Sequence, residues 1–225
     1  MTYSITISDN QKSMEELEVV RANPGFGIHP SDHIATARWS NGKWHDFAIR
    51  PYDSFVIDPR AMTLHYGQSI FEGLKAFAMD DGSISIFRPE ANAERFVLSA
   101  ERMAMPAFPV DAFVEACDEL VRVDSRWVPT AEGTSYYLRP YMFADEAHLG
   151  LRVAMEYQFA VIGLPAAPFF SNSFSAISVV VFRDMARAAL GGTGEAKCAG
   201  NYAASLMAKN RAKEHGCDEV MWLDA

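Results

Sequence analysis

Cysteines and clustered basic residues are scarce in this sequence. The three cysteines, Cys117, Cys198 and Cys217, stand far apart, which excludes a disulfide framework and the paired-cysteine pattern of a zinc site. The 225 residues include 20 lysines and arginines against 29 aspartates and glutamates, giving a formal net charge of −9, and no basic run occurs. Because a nucleic-acid surface needs clustered lysine and arginine, we expect no nucleic-acid partner.

Long apolar runs are also missing. The longest nearly apolar stretch, residues 159–170, is interrupted by Pro165 and Pro168, so we expect no membrane-spanning segment. The N-terminal residues lack the basic start and apolar core of a signal peptide. Hydrophobic residues make up 49% and charged residues 22%, which is typical of a globular chain and excludes extensive disorder. These features predict a cytoplasmic globular protein.

Short strands and amphipathic helices are the main local patterns. The pair Asn41-Gly42 joins IATARW to WHDFAI as a hairpin, and a turn ending at Gly82 joins FEGLKAFAM to SISIF. Pro89 opens a helix with apolar residues at helical spacing, and Asp111 is predicted to cap a second helix. Two further strands are predicted in TSYYLRPYMF and VAMEYQFAVIG.

These patterns predict an α+β protein of two domains. Residues 1–164 form a small α/β domain, in which the polar, unpatterned residues 1–23 are expected to be a loosely held arm. Residues 165–175 contain two prolines and are predicted to be an interdomain loop. Residues 176–225 contain a buried strand (AISVVVF), a glycine-rich turn, a helix from about Tyr202 to His215 that Gly216 ends, and a final strand. These elements are too few for an independent core. We therefore expect the second domain to be incomplete and the chain to be C-terminally truncated.

Two motifs that could bind a metal or a nucleotide are weak. His29 and His33 stand at i, i+4, but the segment between them contains a proline and no third ligand is near, so no metal site is predicted. The turn GGTGEAK is not a phosphate-binding loop, because that motif needs glycine before the lysine and serine or threonine after it. Here those positions hold Ala196 and Cys198.

Lys197 stands out from the other lysines by its surroundings. It follows a run of small residues and precedes the start of a helix, with Glu195 as the near charge. The positive end of a helix dipole disfavours an ammonium group, and only a neutral amine attacks a carbonyl. Lys197 is therefore a candidate nucleophile for a Schiff base, and the alternative is a turn lysine that faces water.

Two groups of polar residues allow more than one interpretation. Tyr137, Arg139 and Tyr141 alternate along one strand and share a face, which could bind a carboxylate or could be the exposed face of a half-buried sheet. Arg95 falls on the polar side of its predicted helix. Its spacing alone predicts that it is exposed to solvent.

Five ordered blocks of the sequence resemble one family of enzymes. The segment KCAGNYAASLMAKNRAKEHGCDEVMWLD is similar to the lysine segment of branched-chain amino acid aminotransferases, which are pyridoxal-phosphate enzymes of fold type IV. The other blocks are FGIHPSDHIATARW, MTLHYGQSIFEGLKAF, IFRPEANAERFVLSAERMAMP and WVPTAEGTSYYLRPYMF. The resemblance covers the chain from about residue 25 to its end. It implies the two-domain fold of D-amino acid aminotransferases, with a second domain that is incomplete here.

The resemblance also implies roles for individual residues. Lys197 would form the Schiff base with pyridoxal 5'-phosphate, Tyr202 would hydrogen-bond the phenolic oxygen of the pyridine ring, and Arg95 would bind the phosphate. Tyr66 would help to hold the α-carboxylate of the substrate. Arg139 and Tyr137 would receive the distal carboxylate of glutamate, and the side-chain pocket would be walled by Phe26, Phe71 and Phe169.

The implied reaction moves the amino group of leucine, isoleucine or valine to 2-oxoglutarate, and the implied assembly is a homodimer. The partners would be these amino acids, glutamate and the matching 2-oxo acids. A D-amino acid transaminase or an aminodeoxychorismate lyase is the alternative within the same fold. A catalytically incomplete fragment that acts as a binding or oligomerisation module is the alternative from another class, because the family's acidic partner for the pyridine nitrogen lies beyond Ala225.

Overall fold

A computed structural model of the chain describes residues 2–167 and 176–223. Its strands are β1 (Ser4–Ile5), β2 (His33–Ser40), β3 (Lys43–Pro51), β4 (Ser69–Phe71), β5 (Leu74–Ala78), β6 (Ile84–Ile86), β7 (Ser135–Ala144), β8 (Tyr157–Ala166), β9 (Val179–Val181) and β10 (Glu219–Met221). Its helices are α1 (Met14–Ala22), α2 (Met62–Tyr66), α3 (Pro89–Arg102), α4 (Val110–Val123), α5 (Ala199–Ala203) and α6 (Leu206–Glu214), with a short 3₁₀ turn at Ser125–Trp127.

The strands up to β8 form one eight-stranded sheet. Its order is β1-β3-β2-β8-β7-β5-β6, and β4 pairs with β7 beside β5. All of these pairs are antiparallel except the parallel pair of β1 with β3. Helices α3 and α4 pack together through Phe96 and Phe113, whose rings also contact Phe159 of β8. The predicted α+β class is confirmed.

Several local predictions agree with this structure. Asn41 and Gly42 both have positive φ, 52° and 75°, as the tight turn between β2 and β3 requires. Helix α3 begins at Pro89 as predicted. Asp111 lies inside the first turn of α4 instead of capping it, because Pro109 occupies the cap position. The helix dipole favours an acidic side chain both at the cap and in the first turn, so an aspartate in the sequence does not show which of the two positions it occupies.

The prediction of a loosely held N-terminal arm is wrong for the described residues. β1 pairs with β3, and the hydroxyl of buried Tyr3 donates to the carbonyl of Ala112 at 3.0 Å. Helix α1 starts with a capping box, in which Ser13 and Glu16 each accept the other's backbone N–H. Leu17 then packs fully into the core. The box is visible in the sequence, but α1 has only two buried residues, so its apolar pattern is weak.

The C-terminal part is a smaller parallel pair, β9 with β10, packed against α6. β8 runs to Ala166, so the predicted interdomain loop begins later than residue 165, and residues 168–175 lie outside the described residues. The predicted buried strand is only partly buried, since Val179 and Val181 are exposed and Phe182 is buried. The single helix predicted from Tyr202 to His215 is two helices, α5 and α6. The division into two domains stays a prediction.

Candidate active site

Lys197 lies in a turn whose backbone is bound to the large sheet and to α3. Its N–H donates to the hydroxyl of Ser99 on α3 at 3.0 Å, and its carbonyl accepts from the N–H of Phe71 at 3.0 Å. The next residue, Cys198, forms a β-bridge with Ile70 of β4. Because both backbone groups of Lys197 are bound, its position is set by the sheet and α3, and only its side chain is free to move.

The turn before Lys197 is held together by a buried asparagine. Asn201 of α5 donates from Nδ2 to the carbonyls of Thr193 at 2.7 Å and Ala196 at 2.8 Å. Its Oδ1 accepts from the Thr193 hydroxyl at 2.8 Å. These bonds close the glycine-rich turn onto the first turn of α5. Asn201 is not among the residues selected from the sequence, although a polar side chain within a run of small residues is a signal that could have indicated it.

The polar side of α3 faces this turn. Ser99 is 1% exposed, and Arg102 donates from Nη2 to the carbonyls of Gly191 at 3.0 Å and Gly192 at 2.8 Å. The predicted exposure of Arg95 is confirmed, since its side chain is 53% exposed. The buried Ser99 and the bonds of Arg102 to the turn show that the same polar face also contacts protein. A pattern of polar residues cannot distinguish water from a partner backbone, because both accept and donate hydrogen bonds.

The amine of Lys197 is surrounded by aromatic groups. Its Nζ donates to the hydroxyl of Tyr202 at 2.7 Å. It also lies 4.7 Å from the ring centroid of Phe71 and 5.0 Å from that of Tyr202. The two rings are themselves 4.7 Å apart. The amine is thus held beside one phenol and over one apolar ring, at a partly exposed position.

Arg139 lies against the same phenylalanine. Its guanidinium carbon is 4.9 Å from the Phe71 ring centroid, while Nε and Nη2 donate to the Tyr137 hydroxyl at 3.2 and 2.9 Å. Phe26 packs edge-on against the Tyr137 ring at 5.1 Å. A cavity of about 240 Å³ lies beside Arg139 and is lined by Phe26, Gly27, Pro30, Tyr52, Tyr137, Arg139, Ile162 and Leu164.

Arg95 is bound to a buried glutamate. Glu72 is 0% exposed and accepts from Nε of Arg95 at 2.5 Å and from Nη2 at 2.8 Å. It also accepts from Nδ2 of Asn92 at 2.8 Å and from the N–H of Gly73 at 3.1 Å. The hydrogen bonds to Glu72 raise the pKa of Arg95, and the nearby Tyr202 hydroxyl adds a smaller contribution. Arg95 therefore stays a cation, and it lies close to the Lys197 group.

Glu72 is not among the residues selected from the sequence, although the sequence carries a signal for it. It is the single acid in the apolar stretch SIFEGLKAF. A carboxylate in an apolar segment is rarely buried without a partner, so it predicts a nearby cation or several N–H donors. The identity of that partner, Arg95 on α3, follows only from the packing of α3 against the sheet.

Some residues selected from the sequence do not join this group. Tyr66 ends α2, and its hydroxyl donates to the carbonyl of Leu149. Tyr141 stacks on Phe143 at 6.0 Å, so Arg139 contacts one neighbouring phenol on its strand and not two. Phe169 lies outside the described residues. The structure therefore brings together six of the selected residues, with Arg95 beside them: Lys197, Tyr202, Phe71, Arg139, Tyr137 and Phe26.

The group combines one amine, two phenols and two guanidinium ions. The carboxylate of Glu72 faces Arg95 and is fully buried. Such a site suits an anionic ligand, since arginine offers paired donors to carboxylates and phosphates. The amine of Lys197 adds a group that can attack a carbonyl.

Most of the chain matches the sequence profile of one protein family. The profile described as amino-transferase class IV matches residues 69–225, which is most of the chain.

The chain belongs to the class IV aminotransferase family.

The range that matches the family profile starts at the first residue of β4 and includes every residue of the Lys197 group except Phe26. The chain is 49% identical over 226 residues to a probable branched-chain-amino-acid aminotransferase of Streptomyces coelicolor. It is 44% identical over 227 residues to a branched-chain-amino-acid aminotransferase of Mycolicibacterium smegmatis. Both matches cover 100% of this chain, and the chain spans 62% of the length of each of these relatives.

Solved structures show the same fold. The branched-chain amino acid aminotransferase of Escherichia coli superposes with a TM-score of 0.62 at 26% identity, and the match covers 85% of this chain and 59% of the other. A T.th. branched-chain amino acid aminotransferase with pyridoxamine 5'-phosphate superposes with a TM-score of 0.64, also at 26% identity. That match covers 84% of this chain and 60% of the other. The predicted fold type is confirmed for this member of the class IV aminotransferase family.

Two other sequence features have structural explanations. His33 is fully buried, where its Nδ1 lies 2.6 Å from Asp124 and its Nε2 accepts from the N–H of Ser8 at 2.8 Å. Among residues 2–167 and 176–223, no cluster of three or more histidine, cysteine or acidic side chains has the arrangement of a metal site. Over the same ranges, no helix is both long enough and apolar enough to cross a bilayer.

Proposed function

We propose that this protein transfers the amino group of leucine, isoleucine or valine to 2-oxoglutarate, with pyridoxal phosphate as its cofactor. The observation that carries the proposal is the Lys197 amine, held 2.7 Å from the Tyr202 hydroxyl over the Phe71 ring that also contacts Arg139. The named activity of the relatives at 49% and 44% identity supports the choice of substrates.

The residues present fit pyridoxal phosphate by their chemistry. Lys197 supplies the amine that would bind its aldehyde, and Tyr202 supplies a hydroxyl that could donate to the ring oxygen. The Arg95 side chain is 53% exposed despite its contact with Glu72, so part of its guanidinium faces outward and could bind the phosphate. When bound, the cofactor supplies an electron sink that makes the α-proton of an amino acid acidic.

Lys197 is the residue that can move that proton. Once its amine is free, Nζ can take the proton from Cα of the substrate as a general base, and as a general acid it would deliver that proton to the carbon of the cofactor that had carried the aldehyde. Its backbone is fixed by Ser99 and Phe71, so the movement is confined to the side chain. The Tyr202 hydroxyl accepts a hydrogen bond from Nζ and keeps the amine over the ring of Phe71.

The pocket near Arg139 can serve both kinds of substrate. Phe26 and Phe71 offer apolar walls for an aliphatic side chain. With such a substrate, Arg139 keeps its hydrogen bonds to Tyr137, which avoids leaving a cation without a partner in a closed site. With glutamate or 2-oxoglutarate, the distal carboxylate would compete with the Tyr137 hydroxyl for the same guanidinium.

Covalent labelling tests the proposal directly. The protein, expressed with its natural termini, is incubated with pyridoxal phosphate and reduced with borohydride, and the modified peptide is identified by mass spectrometry. We expect one modified residue, Lys197, and turnover of L-leucine with 2-oxoglutarate but not of D-leucine or D-alanine. A label on Lys75 or Lys209 in place of Lys197, or turnover of the D-amino acids, would refute it.

Replacing Arg139 by alanine should separate the two half-reactions. We expect the rate constant for glutamate to fall about 10- to 100-fold and that for leucine to change much less, because a charge-assisted hydrogen bond is worth about 1.5–3 kcal/mol. The absorbance change of the cofactor in single-turnover experiments measures each half-reaction. Arg38→Ala, an exposed arginine paired with Asp145, is the control. Equal losses with both substrates would rule out a carboxylate-binding role.

Homodimeric assembly and a cytoplasmic location stay predictions. An exposed apolar segment favours the assembly, since Leu149, Leu151, Val153 and Met155 are all more than half exposed within a few residues of each other. The carbonyl of Leu149 accepts the hydrogen bond of Tyr66, so this segment is tied to a residue that the resemblance assigns to substrate binding.

A further inference from the structure

The carboxylate of Glu72 is the most completely bound acidic group in the neighbourhood of Lys197. It is fully buried and accepts four hydrogen bonds, from Nε and Nη2 of Arg95, from Asn92 and from the N–H of Gly73. The two bonds from Arg95 form the planar fork that guanidinium and carboxylate groups prefer. This fork fixes the plane of the guanidinium, and Asn92 and Gly73 fix the carboxylate.

The fork leaves one edge of Arg95 available. Nε and one Nη2 proton are used by Glu72, and no acceptor within residues 2–167 and 176–223 contacts Nη1. The side chain is 53% exposed, whereas its glutamate partner is 0% exposed. The buried side of the guanidinium is therefore saturated, and the donors that remain point to the accessible side.

Glu72 is also adjacent in sequence to a residue that contacts Lys197. Phe71 binds the Lys197 carbonyl through its N–H and contacts the Lys197 amine through its ring. The side chain of the next residue, Glu72, accepts hydrogen bonds from Asn92 and Arg95 of α3. A shift of this short segment would move the lysine and the arginine together.

We propose that Glu72 is a positioning residue, which holds the guanidinium of Arg95 with its Nη1 edge directed at the phosphate of the cofactor. The inference rests on the proposed function and adds to it a residue that acts through Arg95. A buried ion pair contributes little net stability compared with apolar side chains, so orientation of the arginine accounts better for its presence. The ligand class that this edge recognises is an anionic oxygen group.

Glu72→Gln tests this role with little change in shape. A glutamine can accept from Nε, but its amide group then faces Nη2 of Arg95, Asn92 and the N–H of Gly73, which are all donors. Arg95 would lose the second bond of the fork and its fixed plane. The measurements are the dissociation constants of pyridoxal phosphate and of pyridoxal, which lacks the phosphate, obtained from absorbance titrations of the protein with its natural termini.

We expect Glu72→Gln to weaken the binding of pyridoxal phosphate about tenfold or more, because one charge-assisted contact is lost. The binding of pyridoxal should change by less than about twofold. The ratio of the two dissociation constants distinguishes a misoriented Arg95 from a general folding defect. A folding defect would weaken the binding of both ligands and leave the ratio unchanged. Glu146→Gln is the matched control, because Glu146 forms a similar fork with Arg152 outside the Lys197 group. It should leave the ratio unchanged.

A double variant tests whether Glu72 acts through Arg95. If it does, Glu72→Gln combined with Arg95→Ala should bind pyridoxal phosphate no more weakly than Arg95→Ala alone. Fully additive losses, or an unchanged ratio in Glu72→Gln, would overturn this inference while the labelling of Lys197 still stood. A wild-type protein in which borohydride fixes no cofactor would refute the proposed function and this inference with it.

Discussion

Lys197→Ala is expected to lower the rate of amino transfer about 10²- to 10⁴-fold, the usual contribution of a positioned acid–base group. It is also expected to abolish fixation of the cofactor by borohydride. The structure places this amine beside both Tyr202 and Phe71, at 2.7 Å from the hydroxyl and 4.7 Å from the ring centroid. Removing it leaves the backbone bonds to Ser99 and Phe71 intact, so the turn should keep its position.

The matched control is Lys209→Ala. Lys209 lies on α6, half exposed, and pairs with Glu219 at 3.2 Å, outside the Lys197 group. Its removal should leave the rate and the labelling unchanged. Added methylamine should restore part of the activity of Lys197→Ala, because a free amine can replace the missing base. A Lys197→Ala protein that keeps its rate would show that another group moves the proton.

His33→Ala is expected to lower the free energy of unfolding by about 3–5 kcal/mol, as when one partner of a buried pair is removed. His33 and Asp124 are 0% and 1% exposed, and their side chains lie 2.6 Å apart. The variant leaves the Asp124 carboxylate without this partner and leaves the N–H of Ser8 without its acceptor. Urea denaturation at pH 7 measures the loss. His45→Ala, whose partner Asp46 is 73% exposed, should change stability by less than about 1 kcal/mol.

The pH dependence of this loss has a definite sign. Burial raises the pKa of Asp124 above its ordinary value of 3.8, and hydrogen bonds from Ser31 and His33 oppose that rise. Without His33, the folded-state pKa rises further. A group with a raised pKa contributes stability below its unfolded pKa and loses that contribution as the pH increases through its folded pKa.

The deficit of His33→Ala should therefore be smaller near pH 4 than at pH 7. Adding Asp124→Asn to this variant should recover part of the stability at pH 7, because the unpaired charge is then gone. A deficit that is independent of pH, with no recovery in the double variant, would mean that the loss comes from the cavity and not from the carboxylate.

The features that could be predicted from the sequence are those set by neighbouring residues. The Asn41-Gly42 turn, the start of α3 at Pro89 and the positive φ of Gly216 after α6 depend on backbone preferences of one or two residues. Lys197 and Tyr202 are five residues apart, on either side of a helix start, so their proximity is also local. Local steric preferences act in the same way in any fold, so the features that depend on them can be predicted from the sequence.

Partners distant in the chain could not be predicted in this way. Arg95 is 23 residues from Glu72, and the N–H of Lys197 meets a serine 98 residues earlier. Residue spacing shows only that these side chains are polar, and a polar side chain is equally satisfied by water or by a buried partner. The ordered position of the N-terminal residues could not be predicted for the same reason, because Tyr3 donates its hydrogen bond to Ala112 on α4, 109 residues away in the chain.

Local sequence patterns are enough to predict the class of the fold, the hairpin and helix boundaries near turn residues, and the lysine at the start of a helix. The distant groups that surround this lysine follow only from the packing of the chain: Phe71 beneath the amine, Arg139 on the same ring, and Glu72 behind Arg95. The physical reason is that the environment of a charged group depends on the sheet order and on the packing of α3, and these arise from the whole apolar core.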